Sequence, residues 1–323
     1  MPGGYLGVDI FFVLSGFLIT SLLLQEWRRR SSISLKDFYI RRALRLGPAL
    51  ITYLLSLGVF ALVFLKRDSA KEIYTGILLT LSYVSNWVIA LKPEFPVGIL
   101  AITWSLAIEE QFYLIWPLLL FTLLSLKVRS RWILLALMLG FALITIHRRM
   151  LWEGTASVRR LYYGTDTHAD GLVLGCLVGC LISWNIMPKT KLLVLCMKSL
   201  AMIAAVFIAY LVLTTRRDNA ALYAGGFSLA SMAIAVMLTV VLLWPPTLVL
   251  MSLRFKPLAW IGRISYGLYL WHWPVRGFVF GKSIQPSNKQ ILAATILAFL
   301  IAALSYYLIE KPFLTWKRHF SHA

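Results

Sequence analysis

The chain has 323 residues, 60% of them hydrophobic and 14% charged, with a formal net charge of +19. A soluble domain carries about 25% charged residues, so the composition excludes an ordinary soluble enzyme. The 32 Lys and Arg are spread over nearly every polar gap rather than along one stripe, which argues against a nucleic-acid partner and fits contact with anionic lipid headgroups.

A bilayer core about 30 Å thick needs roughly 20 mostly apolar residues per helix. Ten segments answer to that: 6–27, 44–65, 71–91, 103–125, 131–149, 165–184, 194–213, 224–244, 262–280 and 290–310. None alternates with period two, so a β-barrel is excluded. The expected fold is all-α, a polytopic membrane helix bundle of about ten transmembrane helices. It forms one domain over 1–323 embedded in the lipid bilayer, with no soluble C-terminal domain.

The first span carries Asp9 near its start, where a carboxylate gains from the helix dipole, followed by Ser15 and Gly16, small residues that permit close helix packing. The loop after it holds Arg28, Arg29, Arg30, Lys36, Arg41, Arg42 and Arg45. Positive-inside bias places that loop in the cytoplasm, residue 1 outside and, with ten spans, the C-terminus outside as well. Met1-Pro2-Gly3-Gly4-Tyr5 has no basic n-region and no small-residue cleavage site, and reads as a chain with something missing upstream. Ser34 and Asp37 begin a helix. In it Arg42 and Arg45 share a face at i, i+3, a pattern that clamps phosphates; lipid-headgroup anchoring is the plainer alternative.

The fourth span opens Thr103-Trp104-Ser105-Leu106-Ala107-Ile108-Glu109-Glu110-Gln111-Phe112-Tyr113. Ser105, Glu109, Phe112, Tyr113 and Trp116 fall on one helical face. Carboxylates inside an apolar run are costly and mark a bundle interior or cavity, and Glu109 is suited to orient a base or bind a polar substrate group. The sixth span opens with Tyr162 and Tyr163 and then Asp166, His168 and Asp170. Asp166 and Asp170 are placed on one face at i, i+4 with His168 elsewhere. No second cluster completes a metal site, so a polar gate or substrate contact is expected and no metal. Cys176, Cys180 and Cys196 have neither CxxC nor His-rich spacing and are expected to be buried and inert.

In the ninth span Ser265, Tyr269 and His272 stack at i, i+4, i+7. A histidine within a span is the natural proton-transfer group, and Pro274 beside it would kink the helix. The tenth ends with Glu310 at the boundary, open to an interfacial salt-bridge reading.

Together and in this order, GVDIFFVLSGFLI, TWSLAIEEQFY, YYGTDTHADGLVLG, ISYGLYLWHWP and YYLIEKP resemble the acyltransferase-3 family, integral-membrane O-acyltransferases that decorate bacterial surface carbohydrates, lipids and antibiotics. The resemblance covers essentially the whole chain and implies a multi-pass protein of the inner (plasma) membrane. It implies a cytoplasmic acyl-CoA donor, usually acetyl-CoA, as co-substrate and a carbohydrate hydroxyl on the far side as acceptor. Arg42 and Arg45 match the family's cytoplasmic Arg-x-x-Arg and would hold the CoA phosphates. Asp9, Glu109, Tyr113 and His272 match its intramembrane polar positions and are the expected catalytic residues. Trp104, Ser105, Asp166, His168, Asp170, Ser265, Tyr269 and Glu310 form the surrounding polar set. The family's first helix, with an arginine and a catalytic histidine eleven residues on, has no counterpart here. Ile102 replaces a histidine, and His168 an arginine, of many relatives. Two rivals stay open: a transporter or flippase, which polar mid-membrane spans also suit but which predicts internal repeats, and an inactive fragment of the acyltransferase.

Overall fold

The computed structural model describes residues 2–92, 94–95, 98–187, 190–281 and 285–316. Among the described residues the regular structure is all helical, with no strand, in order α1 (Leu6–Arg30), α2 (Leu35–Phe64), α3 (Arg67–Leu81), α4 (Ser85–Leu91), α5 (Thr103–Ser125), α6 (Ser130–Glu153), α7 (Val158–Tyr163), α8 (Thr165–His168), α9 (Asp170–Ser183), α10 (Lys191–Thr214), α11 (Phe227–Leu243), α12 (Thr247–Arg254), α13 (Lys256–Phe280), α14 (Asn288–Ser305) and α15 (Lys311–Trp316). A kink at Gly225 (φ 144°) precedes α11, and a single π-helical turn precedes α15. Ser34, Ser157, Thr190 and Ser287 start α2, α7, α10 and α14 by accepting a hydrogen bond from the backbone N–H three residues on, which satisfies a donor the helix itself cannot.

Seven of the described helices are long and apolar enough to cross a membrane, or eight if α3 and α4 count as one. About ten is therefore too many by this measure, for three physical reasons. The segment 71–91 is broken by a 118° bend between α3 and α4. The segment 165–184 breaks at Ala169, leaving α9 with 14 residues. The segment 262–280 lies in a 25-residue helix that continues through Pro274, but Trp, Tyr, His and Arg dilute its apolar character.

The chain divides into two compact units. The first is Met1–Ile33, Asn86–Phe95 and Trp104–Val249, and the second is Ser34–Ser85, Pro96–Thr103 and Leu250–Ala323. In the first unit α1 packs on α9 with glycine at the contact. A Cβ on Gly16 would lie 2.1 Å from the Leu172 carbonyl oxygen, and one on Gly175 would lie 2.2 Å from that of Val13. Gly171, Gly175 and Gly179 recur every fourth residue, the small-residue stripe that lets backbones approach closely in lipid.

In the same unit Ser15 pairs with Glu109, Thr20 with Trp116 and Trp27 with Phe121, so α5 runs parallel to α1. Alternation along ten spans makes the first and fourth antiparallel. The parallel pair instead requires an odd number of crossings between α1 and α5. With α2 as one crossing, the bent α3–α4 pair adds no net crossing.

In the second unit α13 and α14 form an antiparallel pair. Trp260 Nε1 donates to the Tyr307 hydroxyl at 3.1 Å, and Val275 packs with Ala294 and Ala298. In the non-helical stretch Gly98–Ile102, Leu100, Ala101 and Ile102 are buried. Unpaired backbone carbonyls are expensive at membrane depth, and two tyrosines answer that cost: Tyr53 donates to the Ile99 carbonyl at 3.5 Å and Tyr269 to the Ile102 carbonyl at 2.8 Å.

Candidate functional site

Three hydrogen-bonded groups of polar side chains lie inside the first unit. In one, the Tyr113 hydroxyl donates to Ser15 Oγ at 3.0 Å, and Ser15 Oγ donates to Glu109 Oε1 at 2.6 Å. The face expected on α5 is thus turned on α1: Tyr113 is buried behind the pair, while Ser15 and Glu109 are half-buried. Ser15, expected only to pack, is the bridging hydroxyl. One turn further on, Trp116 Nε1 donates to Thr20 Oγ1 at 2.8 Å.

In the second group, Asn86, Gln111 and Thr165 close a ring. Gln111 Nε2 donates to Asn86 Oδ1 at 3.0 Å, Asn86 Nδ2 to Thr165 Oγ1 at 2.9 Å, and Thr165 Oγ1 to Gln111 Oε1 at 2.6 Å. It joins α4, α5 and α8, and none of the three residues was expected from sequence.

The third group is deeply buried. His168 Nδ1 lies 2.6 Å from the Tyr162 carbonyl and Nε2 lies 3.1 Å from Asp9 Oδ1. A carbonyl only accepts, so Nδ1 carries a proton. The Nε2–Asp9 contact then holds one proton, either as imidazolium with carboxylate or as neutral imidazole with carboxylic acid. Trp104, Tyr162 and Phe227 pack around the His168 ring, with centroids 4.8 to 5.5 Å away. Alongside, Arg148 Nη2 donates to Asp170 Oδ2 at 2.9 Å and to Ser228 Oγ at 2.5 Å, and Nη1 donates to the Thr167 carbonyl at 2.8 Å. Arg148 and Asp170 are 1% and 0% exposed. Sequence reasoning missed Arg148, one of the run His147-Arg148-Arg149 at the end of the fifth span; nothing in that run marks which cation turns inward.

Asp166 does not share a face with Asp170. The helix breaks between them at Ala169 (φ −86°, ψ 5°), and Asp166 turns to the half-exposed side, taking hydrogen bonds from Arg160 at 2.9 Å and making a contact of 2.9 Å with His147 Nε2. Ser105 is buried on α5. Cys176 and Cys180 are buried as expected, but Cys196 is exposed on α10, where Leu192 and Met202 also face outward; in a bilayer an outward apolar face meets lipid. Among the described residues, no group of three or more His, Cys, Asp and Glu side chains gathers in a metal-binding arrangement.

In the second unit His272 Nδ1 lies 2.6 Å from the Tyr269 carbonyl. By the same logic Nδ1 carries a proton, and in the neutral ring the lone pair then sits on Nε2. The Tyr269 and His272 rings lie 5.7 Å apart. Ser265 does not join them; its hydroxyl returns to the Gly262 carbonyl of its own helix at 2.9 Å. Trp271 and Trp273, flanking His272, help line a mostly apolar cavity of about 890 Å³, which Ser56, Phe60, Arg276 and Ile301 also border. Arg276 lies over the Trp273 ring at 4.9 Å. Elsewhere in this unit Glu310 is buried, accepts a hydrogen bond from Ser305 at 3.4 Å and feels the charge of Arg45. Arg45 is exposed and Arg42 half-buried on α2.

A family model for an acyltransferase domain matches residues 2–310. The chain is 35% identical over 324 residues to the peptidoglycan O-acetyltransferase OatA of Listeria monocytogenes, across 96% of this chain and 51% of that one. It is also 35% identical over 332 residues to the Bacillus subtilis protein named "Putative peptidoglycan O-acetyltransferase YrhL", across 97% of this chain and 51% of that one. The chain spans about half the length of these curated relatives. No solved structure matches it.

Proposed function

The chain belongs to the acyltransferase-3 family, and from that premise we propose that it moves an acyl group, acetyl, from cytoplasmic acyl-CoA to a hydroxyl of a cell-envelope carbohydrate at the inner (plasma) membrane. The relatives' names favour a peptidoglycan sugar as acceptor. The observation that carries this reading is Glu109, a carboxylate at 2.6 Å from a hydroxyl inside an apolar span. A group so expensive to place in lipid is well suited to proton transfer or to holding a polar substrate.

The chemistry needs a base for the acceptor hydroxyl and donors for the tetrahedral oxyanion. His272 is the candidate base, because its Nε2 holds the lone pair while the Tyr269 carbonyl fixes the tautomer. Glu109 and Tyr113 act as orienting and stabilising groups, and Asp9, through His168, sets the charge of the first unit's interior. Arg42 and Arg45 take the CoA phosphates. Trp104, Ser105, Asp170, Tyr269 and Glu310 shape the surroundings, while Asp166 and Ser265 are spent on local contacts.

In the full-length protein, Glu109→Gln should lower carbohydrate O-acetylation by about 10²–10⁴-fold while leaving the amount of membrane protein unchanged. Acetylation at the parental level in glycans of the variant strain would sink the assignment.

A further inference from the structure

Ser15 stands out once the polar groups are sorted by what reaches them. The Asp9–His168 and Arg148–Asp170 pairs are sealed, at 1% exposure or less on every member. Ser15 is half-buried, its hydroxyl proton is directed at the Glu109 carboxylate, and its oxygen accepts from Tyr113. A hydroxyl within hydrogen-bond reach of a carboxylate that can take its proton is the core pairing of an activated nucleophile, and here Tyr113 holds the hydroxyl in place.

Depth along the span adds a second argument. At 1.5 Å per residue, Ser15 lies about 14 Å beyond the start of α1 and about 22 Å before its end, well inside a hydrocarbon core about 30 Å thick. A donor with charged phosphates on one side and a sugar on the other cannot both be expected to cross that core. An acyl group parked near its middle removes the need.

We propose that Ser15 carries the acyl group covalently between donor and acceptor. This rests on the acyltransferase reading and gives Glu109 the proton transfers assigned above to His272. In the first half, Ser15 Oγ attacks the thioester carbonyl carbon, Glu109 takes the Oγ proton, the C–S bond breaks, and Glu109 passes the proton to the departing CoA sulfur. In the second, the acceptor hydroxyl attacks the Ser15 ester carbonyl and gives its proton to Glu109. The bond between the acyl carbon and Ser15 Oγ then breaks, and Glu109 returns the proton to Oγ. The balance is acyl-CoA and alcohol to ester and CoA thiol, with no other reactant.

The test uses the full-length protein in membrane vesicles, given acetyl-labelled acetyl-CoA without acceptor, then quenched and digested. The expected result is an acetyl group on Ser15 by mass spectrometry, discharged when acceptor is added. Ser15→Ala should lose both the label and the transfer. Ser15→Cys should carry a label released by neutral hydroxylamine, as a thioester is, whereas the wild-type oxygen ester needs alkaline conditions. A Ser15 that merely ties α1 to α5 yields no acetylated protein. Transfer to carbohydrate at the wild-type rate by Ser15→Ala, or a dischargeable acetyl group on another residue, overturns the proposal while leaving the acyltransferase reading intact. Wild-type protein that consumes no acetyl-CoA with or without acceptor overturns that reading and the proposal together.

Discussion

Arg148→Met should cost about 3–5 kcal/mol, the usual penalty for removing one partner of a buried ion pair, and so a large share of the roughly 5–15 kcal/mol that holds a typical protein together. Arg148 makes three hydrogen bonds from inside the first unit, to Asp170, Ser228 and the Thr167 carbonyl, and lies over the Phe227 ring at 5.5 Å. Its removal strands the Asp170 carboxylate at 0% exposure. The cost belongs mainly to the orphaned charge rather than to the lost attraction, so Arg148→Met combined with Asp170→Asn should recover most of the loss. Thermal unfolding of detergent-purified wild type, single and double variants measures both. A single variant as stable as wild type, or a double variant worse than the single, would contradict the assignment.

The second large effect belongs to α1 and α9. Gly175→Ala and Gly16→Ala each place a Cβ about 2 Å from a backbone carbonyl oxygen of the facing helix, and backbone within a helix cannot step aside as a side chain does. Overpacking of a well-packed contact commonly costs 1–3 kcal/mol and sometimes more; a clash with backbone belongs at the upper end, about 3 kcal/mol or beyond. Gly140→Ala is the matched control, since its nearest neighbour would be a Val173 methyl at 3.9 Å, and a helical glycine exchanged for alanine without strain is neutral or stabilising. Fluorescence size-exclusion profiles should show Gly140→Ala as wild type and the other two reduced to aggregate. Equal profiles for all three would remove the close α1–α9 packing from the description.

The apolar runs were legible because the bilayer imposes a length and a composition that local sequence must satisfy. The polar positions were legible for a related reason: Asp9, Glu109, His168 and Asp170 are each too costly in lipid to be incidental. Their pairings were not. Asp9 finds His168 159 residues away, and Ser15 finds Glu109 94 residues away, and no local pattern encodes such partners. Arg148 was hidden among adjacent cations that suit an interfacial helix end. The α3–α4 bend was equally silent, because the left-handed residue at the break is Tyr83 (φ 54°) rather than a glycine. The break at Ala169 likewise undid the expected Asp166–Asp170 face. Gly16, by contrast, was legible as a small residue that permits close packing, and a Cβ on Gly175 of α9 would lie 2.9 Å from its Cα.

The most direct measurement is transfer by the full-length protein in proteoliposomes, with acetyl-labelled acetyl-CoA supplied on one face and a peptidoglycan-derived glycan on the other. An acyltransferase yields alkali-labile acetyl esters on the glycan together with an equal amount of released CoA. An unmodified glycan moving across the bilayer with no CoA released would contradict acyl transfer and make the protein a transporter.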